Sequence, residues 1–197
     1  LNRENIFIDI TDEKSPWQVS IGTAKRRISE TEYCAVILAG GYSSRMGDFK
    51  PLLSLGDAAV VERTAEIFRL AGIKDIYVVT GYKSDEFSAF LRLKNINCIY
   101  NKDFDRGMFS SVKAGIEAIM AGNGWPGDSV SDRPGTENKS EPRKACFIHP
   151  VDCCLVRPYT IMKLMDFFDH NNAKVVFPVC RGEKGHPPLL DMECGKR

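Results

Sequence analysis

The chain has 197 residues, 43% of them hydrophobic and 27% charged, with a formal net charge of +1. That length and balance suit one domain with a well-buried core, and the small net charge gives no electrostatic basis for a nucleic-acid partner. No apolar run nears the roughly 20 residues of a membrane helix, and the start lacks the basic-then-apolar order of a signal peptide.

Residues 1–33 stand apart and read as an N-terminal extension or linker, with an upstream domain as one possible source. Within them "ENIFIDIT" suits a short strand, and Ser15 before Pro16 suits a helix start. From residue 34 short apolar runs alternate with helical patterns. The run 35–38 ends in Gly40-Gly41, as a strand buried on both faces would. Residues 59–71 place Val60, Val61, Thr64, Ile67, Phe68 and Ala71 on one helical face. "DIYVVTG" predicts a second strand, "SDEFSAFLRL" a helix with Ser84 as its N-cap, and "NCIYN" a third strand. "GMFSSVKAGIEAIMA" carries Met108, Val112, Ile116 and Ile119 or Met120 at helical spacing.

The stretch 121–144 is rich in Gly, Pro, Ser and charge and reads as a long solvated loop. Beyond it come a fourth strand in "ACFIHP", a helix opening on Pro158, a fifth strand in "KVVFPV" and a sixth in "PPLLD". Strands alternating with helices imply an α/β domain: three layers, Rossmann-like, with a mostly parallel sheet. The domain is expected to span residues 34–197. Both termini look cut, which suggests a piece of a longer polypeptide that ends short of a complete domain. Seven cysteines without regular spacing, several in strand-like runs, read mostly as reduced core residues of a cytoplasmic protein.

The chemistry concentrates after Leu38. In an open α/β sheet ligands bind at the carboxyl ends of the strands, and "AGGYSSRMGDFK" is the first such loop. Gly40 and Gly41 let the backbone approach a ligand, and successive amides with a following helix make an anion-binding concavity. Ser43 and Ser44 add hydroxyls, Arg45 a planar fork and Lys50 a point charge. Neither G-x-x-x-x-G-K-[ST] nor G-x-G-x-x-G fits, which argues against P-loop NTPases and NAD-binding domains. Asp152 ends the fourth strand, facing this loop, where a carboxylate suits Mg²⁺ or caps the next turn. His149, Cys153 and Cys154 also invite a soft-metal reading, weakened because adjacent cysteines do not easily face one ion.

"LAGGYSSRMGDFK" resembles the signature L-A-[AG]-G-x-S-x-R-M-G-x-x-K of nucleotidyltransferases acting on molybdenum cofactor. "VVTGYKSDEF", "NKDFDRGMFSSVKAGI", "HPVDCCLVRPYTIMKLM" and "FPVCRGEKGHPPLL" follow in the family's order, across residues 34–191. "GMFSSVKAGI" is closer to the cytidylyltransferase branch, whereas the Leu-Ala-Gly-Gly opening is commoner in the guanylyltransferase branch.

The resemblance implies a glycosyltransferase-A-like nucleotidyltransferase fold and attack of a phosphorylated acceptor on the α-phosphate of CTP or GTP. Pyrophosphate leaves, Mg²⁺ assists, and molybdopterin is the implied acceptor. Leu38, Ala39, Gly40, Gly41 and Ser43 would hold the nucleotide, with Arg45 and Lys50 stabilising the reacting phosphates and Asp152 ligating the metal. Thr80, Gly81, Asn101, Gly107, Met108, Ser110, Ser111 and His186 would contribute to base, ribose or acceptor contacts, although Met108 equally suits helix packing. Family members supply a second acidic ligand beyond the Gly-His-Pro segment; here only Asp191 and Glu193 follow it. Cys154 stands where the family has a proline. Competing expectations are a non-catalytic nucleotide-binding module of a larger polypeptide, and transfer to a sugar phosphate or phosphocholine.

Overall fold

β2 (Tyr33–Leu38) is buried along its whole length, because both of its faces carry packed layers. Tyr33, Ala35 and Ile37 point to one side, and Cys34, Val36 and Leu38 to the other, as the two-residue repeat of a strand dictates. The computed structural model describes residues 6–9, 32–41, 49–122 and 143–193.

β2 pairs in parallel with β5 (Asp75–Thr80) on one side and β7 (Ala145–Pro150) on the other. β6 (Asn97–Tyr100) continues the parallel order beyond β5. On the far side of β7 lies β10 (Leu189–Asp191), antiparallel both to β7 and to β8 (Val175–Cys180). β1 (Ile6–Asp9) pairs in parallel with β8, giving the order β1-β8-β10-β7-β2-β5-β6. Part of the N-terminal extension therefore belongs to this sheet. Two short ribbons were not foreseen: β3 (Ser54–Leu55) with β4 (Ala58–Ala59), and β9 (Glu183–Lys184) turning back on β8.

Helices cover both faces. α1 (Val60–Leu70), α2 (Ser84–Leu93) and α4 (Pro158–His170) pack over Tyr33, Ala35, Ile37, Phe147 and Val176. α3 (Met108–Met120) covers the opposite face with Val112, Ile116 and Ile119. It lies so near the sheet that a Cβ on Gly115 would stand 2.7 Å from Val36 Cγ1. α4 opens on Pro158, as expected.

α2 departs from expectation at its start. Ser84 is its first helical residue, and the N-cap is Lys83, in a left-handed conformation at φ 53°. The tight turn Gly81–Lys83 forces the chain into the helix one residue early. The readings at Ser15 and Pro16, and most of the 121–144 loop, lie outside the described residues. Cys34, Cys98 and Cys146 are buried free thiols, Cys153 and Cys154 are half-buried, and Cys180 is exposed. No helix among the described residues is long and apolar enough to cross a membrane.

Candidate active site

The carboxyl ends of four parallel strands are laced together by backbone hydrogen bonds. Ala39 N–H donates to Val79, Tyr82 N–H to Gly40, Asn101 N–H to Thr80, and Val151 N–H to Leu38, at 2.9–3.3 Å. The first described residues after β2, β5, β6 and β7 are thus tied into one floor, on the side of an open sheet where ligands sit.

Gly40 is buried and Gly41 exposed in the first loop. A Cβ on Gly40 would meet Ser111 Oγ at 3.3 Å, so the start of α3 stands directly against the loop. Gly81 is enforced more strictly: its Cβ would lie 2.4 Å from Phe104 Cβ and 2.8 Å from the Gly40 carbonyl. Ser43, Ser44 and Arg45 lie outside the described residues.

Asn101 organises the α3 side. Its amide donates to Ser110 Oγ at 2.9 Å and Ser111 Oγ at 3.1 Å, while its carbonyl oxygen accepts the Asp103 N–H at 3.0 Å. Ser110 passes its own proton to the Asp103 or Gly107 carbonyl, both at 2.8 Å. Ser111 is buried and has no acceptor for its hydroxyl proton among the described residues, leaving a donor aimed at the Gly40 turn. Gly107 takes φ 93° as the N-cap of α3. Met108 is 63% exposed, so it does not pack in the core. Thr80 is buried, and its hydroxyl meets Cys98 Sγ and the Ile99 carbonyl inside the fold.

Lys50 arrives from the other direction. It begins a single 3₁₀ turn, 50–52, secured by buried Pro51 and by Phe49, whose ring meets Phe87 edge-on with centroids 5.0 Å apart. From this anchor Lys50 Nζ reaches Asp152 Oδ2 at 3.1 Å. Asp152 sits in the turn closing β7, with its carboxylate about half exposed. Hard oxygens on an accessible carboxylate suit Mg²⁺, which takes one or two protein carboxylates and draws its remaining ligands from phosphates and water. No group of three His, Cys, Asp or Glu side chains among the described residues is arranged to hold a metal.

Asp191 and Glu193 do not join Asp152. β10 runs antiparallel to β7, and Asp191 pairs with Ala145 at the opposite end of the sheet. Five residues of strand put it about 17 Å from the Pro150 level. Asp191 instead accepts the Glu193 N–H. The same reversal brings the Gly-His-Pro segment to the site end, where the Pro188 carbonyl accepts the Ile148 N–H. His186 is exposed there, its ring 6.4 Å from that of His149.

His149 has a role that sequence reasoning missed. It is fully buried, its ring edge-on to Phe68, and its Nε2 lies 3.0 Å from the Cys153 carbonyl. Only an N–H can pair with a carbonyl, so Nε2 carries a proton, and Nδ1 has no hydrogen-bond partner among the described residues. Burial pushes the imidazole down to about 4, against the opposing pull of that hydrogen bond. Burial likewise raises the Cys153 thiol, which keeps it protonated. The available signal was a titratable side chain inside the apolar run "ACFIHP", where it must find a partner.

A mostly parallel sheet between helical layers, with a glycine turn, a cation and a carboxylate at the strand ends, defines an α/β protein suited to an anionic ligand. Residues 35–197 match the MobA-like NTP transferase domain, and the chain belongs to that family. It is 27% identical over 160 residues to the molybdenum cofactor cytidylyltransferase of Escherichia coli, covering 81% of this chain and 70% of that one. A choline-phosphate cytidylyltransferase of Haemophilus influenzae is 35% identical over 75 residues, 36% of this chain and 32% of that protein. Among solved structures, Rv0371c of Mycobacterium tuberculosis superposes with a TM-score of 0.64 at 20% identity, over 84% of this chain and 74% of its own. Its manganese complex gives 0.60 at 18% identity, with the same coverage.

Proposed function

We propose that this chain transfers the cytidylyl group of CTP to a phosphorylated acceptor, most readily molybdopterin, and releases pyrophosphate. Residues 34–197 form the catalytic unit, and the reaction belongs in the cytoplasm, where its free thiols stay reduced. The observation that carries the reading is the Lys50–Asp152 pair, whose Asp152 follows the end of β7 that lies beside the end of β2 leading into Gly40-Gly41. The relative named for cytidylyl transfer to molybdenum cofactor supports the choice of nucleotide and acceptor.

Both reactants are anions, so orientation and charge neutralisation carry most of the catalysis. The Leu38–Gly41 backbone and the Ser43 amide cradle the triphosphate, and the Ser111 hydroxyl donates to an oxygen lying over Gly40. Arg45 and Lys50 hold the α-phosphate and the departing pyrophosphate. Asp152 would hold Mg²⁺, which when bound draws negative charge from the phosphate oxygens. Asn101 keeps Ser110 and Ser111 in place, buried Thr80 and Gly81 support the base side from within the fold, and exposed Gly107, Met108 and His186 border the acceptor.

The test is pyrophosphate release with CTP or GTP, each with Mg²⁺ and molybdopterin. Turnover with CTP supports the reading, and turnover with GTP alone moves the base assignment to guanine. The match to a choline-phosphate enzyme favours one second reading, phosphocholine as acceptor, so phosphocholine belongs in the same assay. Turnover with phosphocholine and none with molybdopterin would establish that reading instead.

A further inference from the structure

The turn that displays Asp152 is clamped on its entry side by two contacts and closed across itself by a third. Val151 N–H donates to Leu38 at 3.1 Å, Thr64 Oγ1 meets the Val151 carbonyl at 2.8 Å, and Cys153 N–H returns to Pro150 at 3.1 Å. Its exit is held differently. The Cys153 carbonyl accepts one hydrogen bond among the described residues, from buried His149 Nε2. The Asp152 carboxylate has Lys50 as its single hydrogen-bond partner there. The backbone on either side of Asp152, rather than contacts to its carboxylate, sets where that group points.

We infer that His149 is a positioning residue: its Nε2–H fixes the Cys153 carbonyl and thereby aims the Asp152 carboxylate at the metal–triphosphate position. The ring acts through the backbone of the turn rather than on the Asp152 carboxylate itself. His149 lies on the Phe147 side of β7, beneath the turn and against Phe68 of α1, so its side chain cannot follow a moving loop. A donor anchored in the core thus holds a ligand-bearing turn at the surface. The inference rests on the proposed role of Asp152 as metal ligand.

The experiment uses the full chain as wild type, His149→Gln and His149→Phe. Glutamine keeps an N–H donor at similar reach, and phenylalanine keeps the ring without a donor. In the wild type, a long-range ¹H–¹⁵N spectrum should show His149 protonated at Nε2; protonation at Nδ1 would overturn the inference. Amide hydrogen exchange at residues 151–154 should speed up about tenfold in His149→Phe and stay near wild type in His149→Gln, with the centre of β7 unchanged in both. Uniform acceleration across β7, or none at the turn, would overturn it.

Mg²⁺ titration of the CTP complex supplies the functional arm. His149→Phe should need about tenfold more metal for half-saturation while binding metal-free CTP as the wild type does, and His149→Gln should restore the metal requirement. An unchanged requirement in His149→Phe would overturn the inference. If the wild type binds no nucleotide, the proposed function fails, and the spectrum and exchange pattern decide the His149 clamp alone.

Discussion

Lys50 and Asp152 are 102 residues apart in sequence, and their side chains meet at 3.1 Å at the end of the sheet. Lys50 is held by the Phe49–Phe87 contact and buried Pro51, and Asp152 by the turn after β7. An ion pair this exposed contributes about 0–1 kcal/mol to stability. Neither residue is therefore placed for the sake of the fold. Lys50→Ala and Asp152→Ala should each unfold within about 1 kcal/mol of the wild type in urea.

His149 makes stability depend on pH. Its imidazole is held at about 4 in the folded chain against 6.5 ordinarily, so the unfolded chain binds the extra proton between those values. Its contribution is fully present above pH 6.5 and is lost as pH falls toward 4. Two and a half units correspond to at most about 3 kcal/mol. Urea unfolding at pH 7 and pH 4.5 should show the wild type losing more stability than His149→Gln. Equal losses would show that His149 titrates normally.

Two glycines differ in what they tolerate. Gly81→Ala drives a methyl group into Phe104 and the Gly40 carbonyl and should cost about 3 kcal/mol, visible as a fall in Tm. Gly40→Ala meets a serine hydroxyl at 3.3 Å and should fold with less than about 1 kcal/mol lost. Alanine is the other residue the resembled signature allows at this position, so CTP binding should stay near that of the wild type, which calorimetric titration would register.

Asn101→Ala frees Ser110 and Ser111 together and removes the acceptor for the Asp103 N–H. The variant should lose about 1–3 kcal/mol, as buried polar groups are left unpaired. Its KM for CTP should rise well beyond that of Ser110→Ala, because Ser111 alone keeps a free proton facing Gly40. Steady-state kinetics on the two variants would separate them.

The parallel core was legible because each strand is an apolar run between helical patterns, and burial on both faces leaves that signature. The direction of "PPLLD" was not, because three paired residues carry no mark of orientation. That direction decides which late residues approach the site: His186 does, and Asp191 and Glu193 do not. Ser84 looked like a cap because its residue type favours that place, but the left-handed Lys83 overrides the preference. Lys50 was singled out by the resembled motif and Asp152 by its place at a strand end, and the fold brings the two together. The clamp at His149 was hidden because its partner is a backbone carbonyl, which has no letter in the sequence.

The central claim is that the Lys50–Asp152 pair and the glycine turn act together on a nucleoside triphosphate. Mg²⁺-dependent pyrophosphate release from CTP, measured for the wild type beside Lys50→Ala and Asp152→Ala, tests it most directly. The account predicts turnover in the wild type and a loss of about 100-fold or more in each variant. Equal release from all three proteins would contradict it.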